Sequence, residues 1–281
     1  MRFGNSRLRL SMRRLSIVVA LLAVTSLLLL GPQAIGGSRG QTKTEAEQKG
    51  AFKAAYPPVK NQEYAKALAE LKKEKALEAI ADNLNKEIAI PQNVTLTFAE
   101  CGTINAFYDP ERKQVSMCFE LIEHFYEIFQ PDAKSEAELD DAVFGAVAFV
   151  FYHELGHALA HILDLPITGK EEDAVDQLST LILADGSDEG EKSVLDGARW
   201  FMLEEEQNDT DIDKLPFWDE HSLNQQRFFN IVCWLYGQDE KKYSYLVKNG
   251  VLPEERAARC HGEFEQLAKS WGKLLGPHLK N

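Results

Sequence analysis

The feature that most constrains this chain is a long helical pattern with a chemical string inside it. Ser135, with Glu138 three positions on, reads as a capping box, and apolar residues then recur through Phe144, Val147, Ala148 and Phe151 to Leu163. Within this run stands His153-Glu154-Leu155-Gly156-His157. Residues four apart share one helix face about one turn from each other, so the two imidazoles can converge on one metal ion. Glu154 then holds its carboxylate beside an open coordination position. An accidental pair of solvated or core histidines is the plain alternative, and composition alone does not remove it.

Catalytic zinc takes three protein ligands and keeps a fourth place for water, so a third ligand decides the matter. His161 continues the series, but on an unbroken helix it lies about 12 Å along the axis from His153, and zinc bonds of about 2.1 Å cannot bridge that. It is expected beside the site or partly exposed. The better candidate follows the break Asp164-Leu165-Pro166-Ile167-Thr168-Gly169, where Thr168 with Glu171 can cap a new helix opening with Glu171, Glu172 and Asp173. Glu172 and Asp176 share a face of that helix. Glu172 can ligate zinc while Asp176 accepts the second N–H of a ligand histidine. Glu171 is the alternative ligand, and an acidic helix start favoured by the macrodipole is the plain reading of all three acids.

The N-terminus is of a different kind. Arg2, Arg7, Arg9, Arg13 and Arg14 precede an apolar run from Leu15 to Leu30, and Ala34-Ile35-Gly36 offers small residues for cleavage. Residues 1–36 are expected to be a signal peptide, or else an uncleaved membrane anchor, which directs the chain to the periplasm or the exterior. The apolar stretch Ala142 to Phe151 is too short to cross a bilayer and reads as a buried helix. No other membrane span is expected. The formal net charge of -13 excludes a nucleic-acid partner, because phosphate contact needs clustered Lys and Arg. Export also gives the cysteines an oxidising destination. Cys101 with Cys118 and Cys233 with Cys260 are expected as disulfides, the first pair flanking a hairpin, and no C-x-x-C spacing supports a cysteine zinc site.

Residues 37–63, with Gly-Gly, Ser, Gln and a Pro-Pro pair, have a linker's composition and are expected to be disordered. One amphipathic helix is expected from Tyr64 to Ile88. Val94 to Phe98 alternates as a strand, and Asn105 to Tyr108 and Gln114 to Phe119 flank a Pro-containing turn as a hairpin. The rest is helical in pattern. The fold class is α+β: a single, predominantly helical domain over 64–281, with a small antiparallel edge sheet and a zincin-like active-site helix. Asp209, Asp211 and Asp213 with Glu220 have partial calcium-loop spacing, but Lys214 and Pro216 spoil it, so an acidic solvated loop is expected. Phe217, Trp218, Phe228, Phe229 and Trp234 are expected in the core.

The pairing of H-E-x-x-H with a downstream E-x-x-x-D resembles the gluzincin class of zinc peptidases. The fuller set, Tyr152 to Ala158, Leu163 to Pro166, Glu171 to Ala174 and Asp176-Gln177, resembles a bacterial family of metallopeptidases without assigned function over most of residues 64 to 270. Glu100 to Gly102, Asn105 to Asp109, His221 to Leu223, Gln226-Arg227 and Arg259-Cys260 join that resemblance, which implies a peptidase fold but no substrate. Asn105-Ala106-Phe107, and His221 with Arg227, are also similar to segments of the prenyl proteases and their bacterial heat-shock relatives. That likeness implies a substrate edge strand at Asn105, Ala106 and Phe107, and oxyanion stabilisation by His221 and Arg227. The chain departs from that pattern at Ser222, where those enzymes carry Pro, and in having no membrane helices around the site. The plain alternative makes His221 a neighbour of a helix cap and Arg227 a surface charge.

Together these readings describe an exported endopeptidase holding one Zn2+ through His153, His157 and Glu172, with Glu154 as general base, acting on a peptide or protein substrate. The reading from another class is a non-catalytic peptide- or protein-binding scaffold with a structural zinc site.

Overall fold

The computed structural model describes residues 50–208 and 215–280. The expected signal segment 1–36 and the acidic positions 209, 211 and 213 lie outside the described residues. In chain order the elements are β1 (Phe52–Ala55), α1 (Gln62–Lys73), α2 (Ala76–Glu87), β2 (Val94–Ala99), β3 (Ala106–Asp109), β4 (Gln114–Cys118), α3 (Phe119–Phe129), α4 (Glu136–Ile162), α5 (Glu171–Leu183), α6 (Asp188–Asn208), α7 (Asn224–Gln238), α8 (Ser244–Lys248) and α9 (Glu254–Leu275). This is a mostly helical α+β domain with a small sheet.

Helix α4 is the axis of the molecule. Its 27 residues are buried on nearly every side, the signature of a helix enclosed by others rather than lying on a surface. By length and composition it could cross a membrane, but 89% of its apolar window is buried inside the protein. Ser135 caps it by accepting from the Glu138 N–H, whereas the Glu138 carboxylate reaches the Lys134 N–H, one residue before the cap. Its far end closes as a Schellman motif: Asp164 takes φ 52°, the Leu165 N–H donates to Ala160 and the Asp164 N–H to His161. That reversal sends the chain back along α4 as α5.

Three expectations need correction. The segment Tyr64 to Ile88 is two helices, because Lys75 adopts a left-handed φ of 54° between them and turns the chain. The expected linker does not extend to residue 63. Phe52–Ala55 is a strand whose end Phe52 is gripped by Asn85, which both accepts from and donates to its backbone. The sheet is mixed rather than antiparallel. Its order is β1-β2-β4-β3, with β1–β2 and β2–β4 parallel and only the β3–β4 hairpin antiparallel. The physical cause is the α1–α2 crossover, which returns the chain to β2 in the direction of β1. β3 is left as the edge, and that edge faces α4.

Both disulfides form in the expected pairing, and among the described residues no cysteine is free. Cys101–Cys118 ties the chain entering β3 to the end of β4, and Cys233–Cys260 joins α7 to α9.

Candidate metal centre

The site is made where α4 and α5 approach closely. A Cβ on Gly156 would lie 2.8 Å from the Val175 side chain, so only glycine lets the helices meet at this separation. The Ser179 hydroxyl fixes the same contact by donating to the Phe149 carbonyl at 2.7 Å. Glu172 is thereby set opposite the histidines of α4. Its Oε2 lies 3.1 Å from His153 Nε2 and its Oε1 3.3 Å from His157 Nε2. One ligand atom from each of the three residues can be chosen so that all lie within 4.8 Å of one another.

The other ring nitrogens are taken. His153 Nδ1 pairs with Asp176 Oδ1 at 2.8 Å, and His157 Nδ1 with Glu171 Oε1 at 2.7 Å. Both Nε2 atoms are thus directed inward. Two imidazole nitrogens and a carboxylate oxygen at this separation, with the rings oriented from behind by carboxylates, make a donor set that suits zinc.

Asp176 and Arg227 form a buried pair, with Arg227 Nε 2.7 Å from Oδ2 and Nη2 2.8 Å from Oδ1. The guanidinium also lies 4.0 Å from the Phe201 ring centroid. Arg227 is only 8% exposed, so it is no surface charge; its Nε and Nη2 engage Asp176, and the residue lines the cleft together with His153, Glu154 and His221. Charge complementarity arranges this, because a buried carboxylate and a buried guanidinium each need the other.

Burial opposes ionisation at every member of the cluster, and neighbouring charge overrides it at most of them. Burial would raise Asp176, but Arg227 and His153 hold it down at about 2. Burial would lower His157, but Glu172 and Glu171 raise it to about 9. Glu172 is pushed well below the usual carboxylate range by His153, His157 and His221 despite its burial. Glu154 is the exception. Burial raises its carboxyl, and the two histidines only partly offset that.

His221 comes to the site from the segment before α7. Its Nε2 lies 3.1 Å from Glu172 Oε2 and its Nδ1 3.0 Å from Asp219 Oδ1. Lys170 Nζ holds that segment through the carbonyls of Asp219 and His221. Glu220 joins Glu172 and His221 in a second, more exposed group of potential ligand atoms sharing Glu172. Asn105 and Ala106 line the same cleft as His153, Glu154 and His221, and Phe107 is an exposed residue of the β3 edge. His161 is exposed and engages the Tyr108 hydroxyl through Nδ1 at 2.9 Å.

Three features lie beyond what local spacing could reveal. Glu171, the alternative ligand, holds a histidine from behind, Gly156 admits the close contact of two helices, and the Asp176–Arg227 pair joins residues 51 apart. Thr168 is not the cap of α5, which starts after Lys170 without a side-chain cap. Phe217 and Trp218 are not core residues. They are 66% and 82% exposed, on the segment that leads to His221. Trp234 is buried, and Phe228 and Phe229 pack half-buried against the core.

No curated protein and no solved structure matches this chain. A family model does match, over residues 56–275, which takes in the whole cluster from β3 to α9. The chain therefore belongs to the family described as "Putative metallopeptidase".

Proposed function

We propose that the protein is an exported zinc-dependent endopeptidase of gluzincin type, with His153, His157 and Glu172 as the zinc ligands. The observation that carries this reading is the convergence of two Nε2 atoms on one carboxylate, with both Nδ1 atoms already engaged by carboxylates. Zinc bound there would supply Lewis acidity to the scissile carbonyl and lower the pKa of water to about 7.

The remaining roles fall to the chain itself. Glu154 lines the cleft beside His153 and accepts the proton of the attacking water, then delivers it to the leaving amine. Its carboxyl is raised by burial, which brings a carboxylate closer to neutral pH and makes it a better donor in the second step. The β3 edge at Asn105, Ala106 and Phe107 receives the substrate backbone as an added strand. His221, whose pKa is raised by its hydrogen bond to Glu172, reaches the site from the segment before α7 and is the donor to the developing oxyanion. Asp176 orients His153, and Arg227 holds Asp176 as a positioning residue. Export is supported by the two disulfides, which suit a periplasmic or extracellular compartment.

The test is a metal assay paired with a peptide digest. Purified wild type should carry about one zinc per chain and cleave, while Glu154→Gln should keep the metal and lose cleavage. A wild-type protein that stays folded but cannot be loaded with zinc would sink the proposal. The rival is a scaffold with a structural, four-ligand zinc. It draws on the nearness of His221 Nε2 to Glu172, since His221 could close the coordination. It predicts that His221→Ala weakens zinc binding, whereas an oxyanion donor should leave zinc content intact and lower kcat by about 100 to 1,000-fold.

A further inference from the structure

Three histidines, not two, stand around Glu172. The carboxylate turns Oε1 to His157 Nε2 at 3.3 Å, and Oε2 to both His153 Nε2 and His221 Nε2 at 3.1 Å. Each ring also has its Nδ1 on a carboxylate behind it: Asp176 for His153, Glu171 for His157 and Asp219, at 3.0 Å, for His221. Metal-binding imidazoles are held in this way, because the acceptor behind the ring fixes its orientation and leaves Nε2 to the ion. At Nε2, His221 is built as the two zinc histidines are.

Its partners differ from theirs. His221 groups with Glu172 and Glu220, one ligand atom from each lying within 4.8 Å of the others, as His153 and His157 do with Glu172. Two donor sets thus meet on one carboxylate, whose two oxygens can bridge a pair of ions such as two-metal hydrolases hold about 3.5 to 4 Å apart. The surrounding charge favours a second cation. Glu171, Glu172, Asp219 and Glu220 bring carboxylates to the centre, Arg227 is committed to Asp176, and Lys170 is engaged by the carbonyls of Asp219 and His221. The same lysine pins the segment that carries Asp219, Glu220 and His221. The two sets are not equal, however. The His153 side chain is 7% exposed and that of His221 is 44% exposed, and Glu220 is exposed as well, so water screens and competes at the outer set.

We propose that Glu172, Glu220 and His221 form a second divalent-metal site, filled by zinc at higher concentration than the first, and that filling it switches the peptidase off. The site rests on the ligand geometry, and the switch rests on the peptidase reading given above. An ion held there takes His221 Nε2, the group assigned to the developing oxyanion, and draws on the Glu172 carboxylate that holds the first ion. The regulator is therefore the free concentration of the same metal that the centre uses.

The experiment has two readouts on the purified protein. Zinc content is measured by equilibrium dialysis against buffered Zn2+, and peptide cleavage is followed over the same range of free zinc. Wild type should bind one zinc tightly and a second at least about tenfold more weakly, and cleavage should fall as the second fills. An outer-shell partner of a metal is worth about 10 to 100-fold in affinity, and a direct ligand no less. Glu220→Gln, at an exposed position, should therefore keep the first zinc and raise both the second dissociation constant and the half-inhibiting concentration by at least about tenfold. Inhibition is scaled to each variant's own rate with one zinc bound. His221→Ala should likewise keep the first zinc and lose the second.

A single zinc at saturation, with cleavage present, would overturn the second site and leave the peptidase standing. Loss of the first zinc in His221→Ala would make His221 a ligand of that ion and remove the second site equally. Zinc binding and inhibition of unchanged strength in Glu220→Gln would overturn the ligand set. A rate that rises as the second zinc fills would overturn the switch, since the two ions would then work as a pair. Two bound zinc ions without cleavage of any peptide at any zinc concentration would reject the peptidase reading while the site stood, and no bound zinc at all would overturn both.

Discussion

His153 and His157 stand one turn apart on the same helix, and each gives Nδ1 to a carboxylate of α5, yet the two wings of the centre are built differently. Behind His153 lies Asp176, 2% exposed, itself clamped by the buried Arg227 over the Phe201 ring. Behind His157 lies Glu171, whose side chain is 50% exposed. The bond lengths are nearly equal, 2.8 and 2.7 Å, so geometry does not separate them. The surroundings do. At one separation, a pair of charges interacts about four times more strongly at an effective dielectric of 20 than in water, and an exposed pair is further weakened by salt and side-chain freedom. The lesson is that one chemical pattern used twice yields a rigid wing and an adjustable one. The adjustable wing lies on the side of the centre open to solvent.

Breaking the rigid wing should have the largest effect. Arg227→Met removes the cation from a buried carboxylate and should destabilise the protein by about 3 to 5 kcal/mol, read as a fall in denaturation midpoint of the zinc-loaded protein. A change of less than 1 kcal/mol would show that Asp176 is held by something else. Asp176→Asn comes next. It keeps the shape but loses the charge that orients His153, and zinc affinity should weaken by about 10 to 100-fold in a chelator competition. Affinity equal to wild type would make the two wings equivalent and end the comparison.

A third expectation uses pH. His157 titrates at about 9 in the folded chain, above its ordinary value of about 6.5. The stability it contributes is therefore complete below about pH 6.5 and is lost as pH rises through about 9. His153 is raised too and works in the same direction, while Glu172, held low, stays ionised throughout. Chelator-treated protein should lose thermal stability across that window, whereas zinc-loaded protein should not, because the metal replaces the protons. Parallel pH profiles for the two preparations would remove the histidines from the metal centre. The smallest effect belongs to the open wing. Glu171→Gln should weaken zinc binding by no more than about fivefold, and the loss should shrink further as salt is added. A loss as large as that of Asp176→Asn would invert the comparison.

The parts of the molecule that were readable in advance are those whose logic is local. The capping Ser135, the apolar run of α4, the i,i+4 histidines and the β3–β4 hairpin all follow from neighbours within a few residues. The misreadings share a cause. The strand at Phe52–Ala55 is four residues long and has no pattern of its own. It becomes a strand by pairing with β2, 42 positions away, and by the grip of Asn85. The helix break at Lys75 carries neither Gly nor Pro, so composition gave no warning of it. Phe217 and Trp218 look like core residues, and only the course of the chain around His221 leaves them in solvent.

By itself, then, the sequence determined that one helix carries two histidines and a glutamate on a common face, that an acidic helix follows after a short reversal, and that four cysteines pair locally. These depend on helical period, end chemistry and chain proximity, which act over one or two turns. Which acid meets the two Nε2 atoms and which stands behind a histidine was decided by tertiary structure, through the close approach that Gly156 allows against Val175. The same holds for Arg227, which reaches Asp176 from a different helix. Burial and long-range pairing depend on how helices pack around α4. No spacing along the chain encodes the low dielectric that makes those partners indispensable to one another.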